Sequence, residues 1–159
     1  MTLHIRMASH EDIPFLVESR LVFMEALWNK PVAEDVKQLG RKFLPDQFAS
    51  MLGKNLFAFI AEVDGQFVSL AYFYILQYLF NPKFPSGRVG RLSNVYTPIE
   101  HRHKGYARAV LEHAIQFARD HNLDVITLDA SDAGKPLYED LGFVDDKLDQ
   151  HIPMTLKLS

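Results

Sequence analysis

No cysteine occurs in the 159 residues of this chain. Disulfides, thiolate metal sites and a cysteine nucleophile are therefore excluded, and a reducing cytoplasm is the expected compartment. Long apolar runs are also lacking. The longest, Ser69 to Phe80, is interrupted by Gln77 and falls short of the roughly 20 residues that a helix needs to cross a bilayer. Met1 to Asp12 has no basic segment followed by an apolar stretch, so no secretory signal is expected. Nor is there a surplus of positive charge. Seventeen Lys and Arg against twenty Asp and Glu give a formal net charge of -3, which offers no general attraction to nucleic acid or to an anionic membrane. What is present is 48% hydrophobic and 23% charged residues, ordinary for a globular protein. The length suits one domain, 1–159, with a single core.

Periodicity places the elements. Leu3, Ile5 and Met7 alternate with polar neighbours as in a half-buried strand, and Ser9 with Asp12 three residues later marks a helix start. A helix over Ile13 to Leu27 follows, broken by Pro31, and a second is expected from Val32 towards Leu52. Phe57 to Val63 and Gln66 to Leu76 read as strands joined by the hairpin dipeptide Asp64-Gly65. After a loop at Asn81 to Gly87, a strand should run from Arg88 to Thr97. Val110, Leu111, Ala114 and Ala118 then fall on one helical face, Asn122 suits the helix end, and Val125 to Leu128 reads as a buried strand. Pro136 and Gly142 bracket a short helix, Lys135 to Leu141. The alternation in Ile152 to Leu158 predicts a closing strand.

The segment Val95 to Ala107 carries the strongest chemical signal. Val95-Tyr96-Thr97-Pro98 ends a strand, His101-Arg102-His103-Lys104-Gly105-Tyr106-Ala107 turns, and a long helix begins. A helix start has backbone N–H groups with no intrahelical partner and a positive dipole end, so such a turn suits a pyrophosphate. Gly105 permits close backbone approach, Ala107 limits bulk, and Arg102, Lys104 and Arg108 add favourable charge. A basic turn that only caps a helix stands as the alternative. The triphosphate loop needs Gly-Lys followed by Ser or Thr, whereas the order here is Lys104-Gly105-Tyr106. The dinucleotide fingerprint fails at Arg102, where a glycine is required.

Arg102, Gly105 and Ala107 match the signature of the GCN5-related N-acetyltransferase (GNAT) superfamily: Gln or Arg, two residues, Gly, one residue, then Gly or Ala. This resemblance implies a mixed, mostly antiparallel sheet flanked by about four helices, an α/β fold. It also implies acetyl-CoA as co-substrate, its pyrophosphate held by the amides of Arg102 to Ala107 and its pantetheine arm paired with Val95, Tyr96 and Thr97. Leu92 and Val95, three apart, break strand alternation, as a bulge near Ser93-Asn94 would. The family has such a bulge.

A second resemblance lies at Ser131, Gly134 and Tyr138, ending in Leu141-Gly142-Phe143. Ser131 stands where the family has Asn, and Gly134 where it has Ala. The family places a pantetheine contact at the first position and, at the tyrosine, a proton donor to the departing thiolate. Tyr138 is thus the implied general acid.

The implied reaction is direct attack of an amine on the acetyl thioester. Asp129 is the leading candidate base, followed by Glu25 and Glu62. The aromatic group Phe23, Trp28, Tyr72, Tyr74, Tyr78, Phe80 and Phe84 suggests an acceptor pocket, a homodimer surface or core packing. His101 and His103 lack a third ligand at suggestive spacing, and no metal is expected. A small-molecule amine is the expected acceptor. A protein or peptide acetyltransferase and a non-catalytic acyl-CoA sensor are the competing readings.

Overall fold

Apolar and aromatic side chains fill 56–77 almost without interruption, and this stretch forms two interior strands of a five-stranded sheet. The computed structural model describes residues 2–146 and 152–159. The strands are β1 (Leu3–Met7), β2 (Leu56–Val63), β3 (Gln66–Gln77), β4 (Arg88–Tyr96) and β5 (Val125–Thr127), side by side in that order. Three pairings are antiparallel and β4–β5 is parallel. The helices are α1 (Ile13–Trp28), α2 (Glu34–Met51), α3 (Tyr106–Asp120) and α4 (Lys135–Asp140), which gives the mixed α/β architecture expected. The chain divides into two compact units, Met1–Asp129 and Ala130–Ser159. All five strands and α1 to α3 lie in the first unit, and α4 lies in the second.

Local chemistry sets the boundaries. The Ser9 N–H donates to the Asp12 carboxylate at 2.8 Å across a 3₁₀ turn, His10–Asp12, from which α1 continues with Pro14 in its first turn. Asp64 (φ 51°) and Gly65 (φ 76°) are both left-handed, as a two-residue hairpin of this twist requires. Helix α2 starts at Glu34 and passes through Pro45 to Met51.

Both faces of the sheet are covered in the first unit. Because successive strand residues point to opposite sides, Phe57, Phe59 and Phe73 meet the Phe117 ring of α3 at 4.8, 5.2 and 5.6 Å. Their neighbours Ala58, Ile60 and Tyr72 join Leu16 of α1 and Phe48 of α2 in the core of the other face. Gly90 of β4 lies beneath a ring, where an added Cβ would stand 2.3 Å from Phe73 Cζ.

The closing strand does not form. Residues 152–159 have no regular structure, and Ile152, Met154, Leu156 and Leu158 are at least 82% exposed. Alternation produces a two-faced segment, but a strand exists only through ladder hydrogen bonds to a neighbour. Among the described residues no strand pairs with this one.

Candidate active site

Strand β4 is irregular where it matters. Tyr72 pairs with Ser93 and Leu70 with Tyr96, so Ala71 alone faces both Asn94 and Val95. Asn94 has φ 52° and is buried. This is the bulge expected near Ser93-Asn94, and it re-aims the strand end. On its other side β4 pairs with β5 only through Val89, Gly90 and Arg91. Beyond Arg91 that edge carries no strand among the described residues. Ser69 steadies the end of β4: its hydroxyl lies 2.8 Å from Thr97 Oγ1 and donates to the Tyr96 carbonyl at 3.3 Å.

The chain leaves β4 through Thr97-Pro98, makes a 3₁₀ turn at Ile99–His101, and enters α3 through two left-handed residues, His103 (φ 60°) and Gly105 (φ 84°). The backbone amides from His103 to Arg108 donate to no backbone carbonyl among the described residues. The Ala109 N–H is the first to do so, to the Gly105 carbonyl at 3.1 Å. These amides sit at the positive end of a fifteen-residue helix, where an anion is stabilised by about 0.3–2 kcal/mol. No atom lies within 4 Å of the place a Gly105 Cβ would occupy, so the loop backbone faces open space. Arg102 turns back on the strand, its Nε donating to the Thr97 carbonyl at 3.0 Å. It therefore ties the loop to β4, a part that its motif position alone does not disclose. His103 and Lys104 are exposed, Tyr106 and Ala107 half-buried. Arg108 lies 3.5 Å from Glu112.

In the second unit Ser131 organises the start of α4. Its Oγ accepts the Gly134 N–H at 3.1 Å, and its carbonyl accepts the Gly134 and Lys135 N–H groups. The Tyr138 ring is half-buried and lies edge-on to Phe143, with centroids 5.9 Å apart. Burial pushes the Tyr138 phenol above its ordinary value. A Cβ on Gly134 would stand 3.0 Å from Tyr138 Cε2 and 3.3 Å from Ser131 Oγ. Glycine at this position is what lets the ring rest on the backbone.

Comparison with known proteins bears on this geometry directly. The model described as the acetyltransferase (GNAT) family matches residues 22–143. The chain belongs to that family. A predicted acetyltransferase from Clostridium acetobutylicum, solved with acetyl-CoA, is 27% identical, with a TM-score of 0.78 and 96% of each chain covered. A GCN5-related N-acetyltransferase from Ralstonia eutropha JMP134 shares the fold at 18% identity and TM-score 0.76, over 96% of this chain and 99% of that one. Glucosamine-6-phosphate N-acetyltransferase from Arabidopsis thaliana shares it at 20% identity and TM-score 0.66, over the full length of both. No curated protein matches in sequence.

The other site candidates take varied places in this GNAT chain. Asp129 is exposed and accepts from Arg91 Nη2 at 2.5 Å. Glu25 is held by Lys37 at 2.9 Å, which lowers its basicity. Glu62 joins Asp12 on the Arg6 guanidinium. Tyr78 and Phe84 pack on each other at 5.8 Å, and Trp28 and Phe80 are exposed. His101 lies against the Tyr106 ring. Among the described residues no group of three or more His, Cys, Asp or Glu could hold a metal, and no helix is long and apolar enough to cross a membrane.

Tyr72 and Tyr74 meet Arg20, Gln47, Phe48 and Leu56 around a cavity of about 140 Å³ between α1, α2 and the sheet. Sequence reasoning did not reach Arg20 or Ser69, and it placed Asn94 at the bulge without its bond to Arg20. The only signals were a lone cation on a largely apolar helix and polar residues interrupting apolar strands.

Proposed function

We propose that this protein is an N-acetyltransferase that carries an acetyl group from acetyl-CoA directly to an amine. The carrying observation is the continuity of the β4 bulge and its open edge with the run of free amides at the start of α3. In this reading the free amides of His103 to Ala107 would hold the pyrophosphate, with Gly105 leaving room for it; the Arg102 N–H is already donated to the Ile99 carbonyl at 3.3 Å, so the part expected of that amide is not available. Val95, Tyr96 and Thr97 would present backbone groups to the pantetheine arm. The 27% identical relative solved with acetyl-CoA supports the same co-substrate. When bound, acetyl-CoA supplies an activated acetyl carbonyl.

The chain's residues then orient groups and move protons. By the family resemblance Tyr138 Oη would hold the proton destined for the departing thiolate, and burial raises its pKa so that the proton stays in place at neutral pH. Asp129 would take the ammonium proton through water, because Arg91 already holds one of its oxygens. The Ser131 oxygen accepts from Gly134, and by the family resemblance its hydroxyl hydrogen would remain for a pantetheine contact. The small cavity on the α1–α2 face favours a small amine over a folded protein as acceptor.

The test is release of CoA thiol from acetyl-CoA over a panel of small amines and lysine-bearing peptides. The chain has no cysteine, so a thiol reagent reports only product. Turnover confined to small amines is expected. Turnover confined to peptides would replace the acceptor assignment, and tight acetyl-CoA binding with no release from any amine would replace catalysis with sensing.

A further inference from the structure

We infer that the acceptor amine carries an anionic group, a carboxylate or a phosphate, which docks on Arg20 in the cavity between α1, α2 and β3. The inference rests on the acetyl-transfer reading and adds a substrate class to it.

Among the described residues Arg20 is the only charged one lining the cavity, and none of those lining it is acidic. Elsewhere the arginines Arg6, Arg41, Arg91 and Arg108 each lie within 4.0 Å of a carboxylate. Arg20 has no such partner among the described residues. Its contacts are neutral: Nη1 donates to Asn94 Oδ1 at 3.0 Å, and its guanidinium lies 5.5 Å from the centroid of the Phe23 ring. These two fix the guanidinium while leaving most of its five N–H donors for another oxygen. A half-buried cation beside Phe48, Tyr72 and Tyr74 has lost part of its hydration, so a bidentate anion is its natural complement.

Asn94 makes a second, independent point. It is 3% exposed, and its Nδ2 has no hydrogen-bond partner. A buried unpaired donor calls for an acceptor atom. Because the same carboxamide binds Arg20 and sits on the β4 bulge, it joins the cation to the strand assigned to acetyl-CoA. Besides Arg20, the polar residues of the lining are Gln47, Tyr74 and Tyr72, whose hydroxyl donates to the Leu16 carbonyl at 3.3 Å.

Matched amines test this. Amino acids are compared with their carboxamides, and aminoalkyl phosphates with the corresponding amino alcohols, by CoA release and by calorimetry on the protein saturated with acetyl-CoA. The anionic member of at least one pair should be favoured by about 10- to 100-fold in kcat/KM, the range of a charge-assisted contact. The favoured pair identifies carboxylate or phosphate. Arg20→Met should reduce that preference to about threefold or less, by raising KM with little change in kcat, while acetyl-CoA affinity stays near wild type and the thermal midpoint falls by a few degrees as the buried Asn94 Oδ1 loses its partner. Arg20→Lys should retain part of the preference. Equal use of charged and neutral amines, or a preference that survives Arg20→Met, overturns the inference while leaving acetyl transfer intact. If no amine is turned over, the transfer reading fails, and calorimetry still decides the inference: anion binding lost in Arg20→Met upholds it, and absence of anion binding sinks it.

Discussion

Substituting Gly105 by Ala and by Glu separates backbone strain from electrostatics in the loop before α3. Both side chains place a β-carbon at φ 84°, and neither meets an atom within 4 Å of that carbon. Each variant should therefore carry the same left-handed penalty of about 1–2 kcal/mol, lowering Tm by about 2–8 °C for a chain of this size. The variants differ in charge. A carboxylate roughly 5 Å from a bound phosphate is repelled by about 1–3 kcal/mol at an effective dielectric between that of water and that of a protein surface. In acetyl-CoA affinity this means a further loss of about 10- to 100-fold for Gly105→Glu relative to Gly105→Ala. Titration calorimetry measures the two dissociation constants and thermal melts measure the shared strain. Raising the salt from 0.1 to 1 M shortens the screening length from about 10 to 3 Å, so the Glu-to-Ala ratio should fall towards unity. Equal affinities at low salt, or a ratio indifferent to salt, would refute the assignment of the α3 amides to phosphate.

Tyr138→Phe should reduce kcat by about 100-fold or more if the phenol is the proton donor, with the acetyl-CoA dissociation constant little changed. Because burial raises its pKa, the wild-type rate should show no downturn from loss of this proton below about pH 10; stopped-flow CoA release across pH checks both points. Phe117→Ala removes a ring shared by Phe57, Phe59 and Phe73 and should cost about 3–5 kcal/mol, seen as a lower urea midpoint at unchanged slope. The Arg6 guanidinium binds both Asp12 oxygens at 2.8 and 2.9 Å and holds that carboxyl below its usual range. The resulting stability is present above the unfolded-state value of about 3.9 and is lost as pH falls through the lower folded value. The advantage of wild type over Asp12→Asn in urea melts should therefore be full at pH 6 and shrink towards pH 3.

Features governed by the local chain were legible in the sequence. Asp64-Gly65 requires a particular turn whatever surrounds it, and the odd spacing of Leu92 and Val95 exposes the bulge because side-chain alternation is a fixed property of strands. Gly105 at a helix start is similarly local. The meeting of Arg20 with Asn94 joins residues 74 positions apart, and no periodicity encodes it. The cavity has the same origin in part: Tyr72 and Tyr74 of β3 stood out as pocket candidates, but α1, α2 and β2 contribute side chains that are unremarked in their own segments. Arg102 reads as a phosphate cation by its motif position, yet its Nε is bonded to the carbonyl of Thr97, just past the end of β4, which only the folded loop reveals. The tail at 152–158 fails in the opposite sense: its pattern is right for a strand, but pattern supplies no partner.

Strand β4 uses nine residues, Arg88–Tyr96, to run alongside the stretch Leu70–Gln77 of β3, where an unbroken ladder would need one fewer. The molecule is thus a single codon away from a more regular sheet. Deletion of that residue would restore ladder bonds worth about 0.5–1.5 kcal/mol each and would remove the carboxamide that steadies Arg20. A stability selection applied to this protein should accept shortening of β4 where, on the proposed function, a selection for turnover rejects it, which would make Asn94 the point where the pressures of folding and function oppose each other.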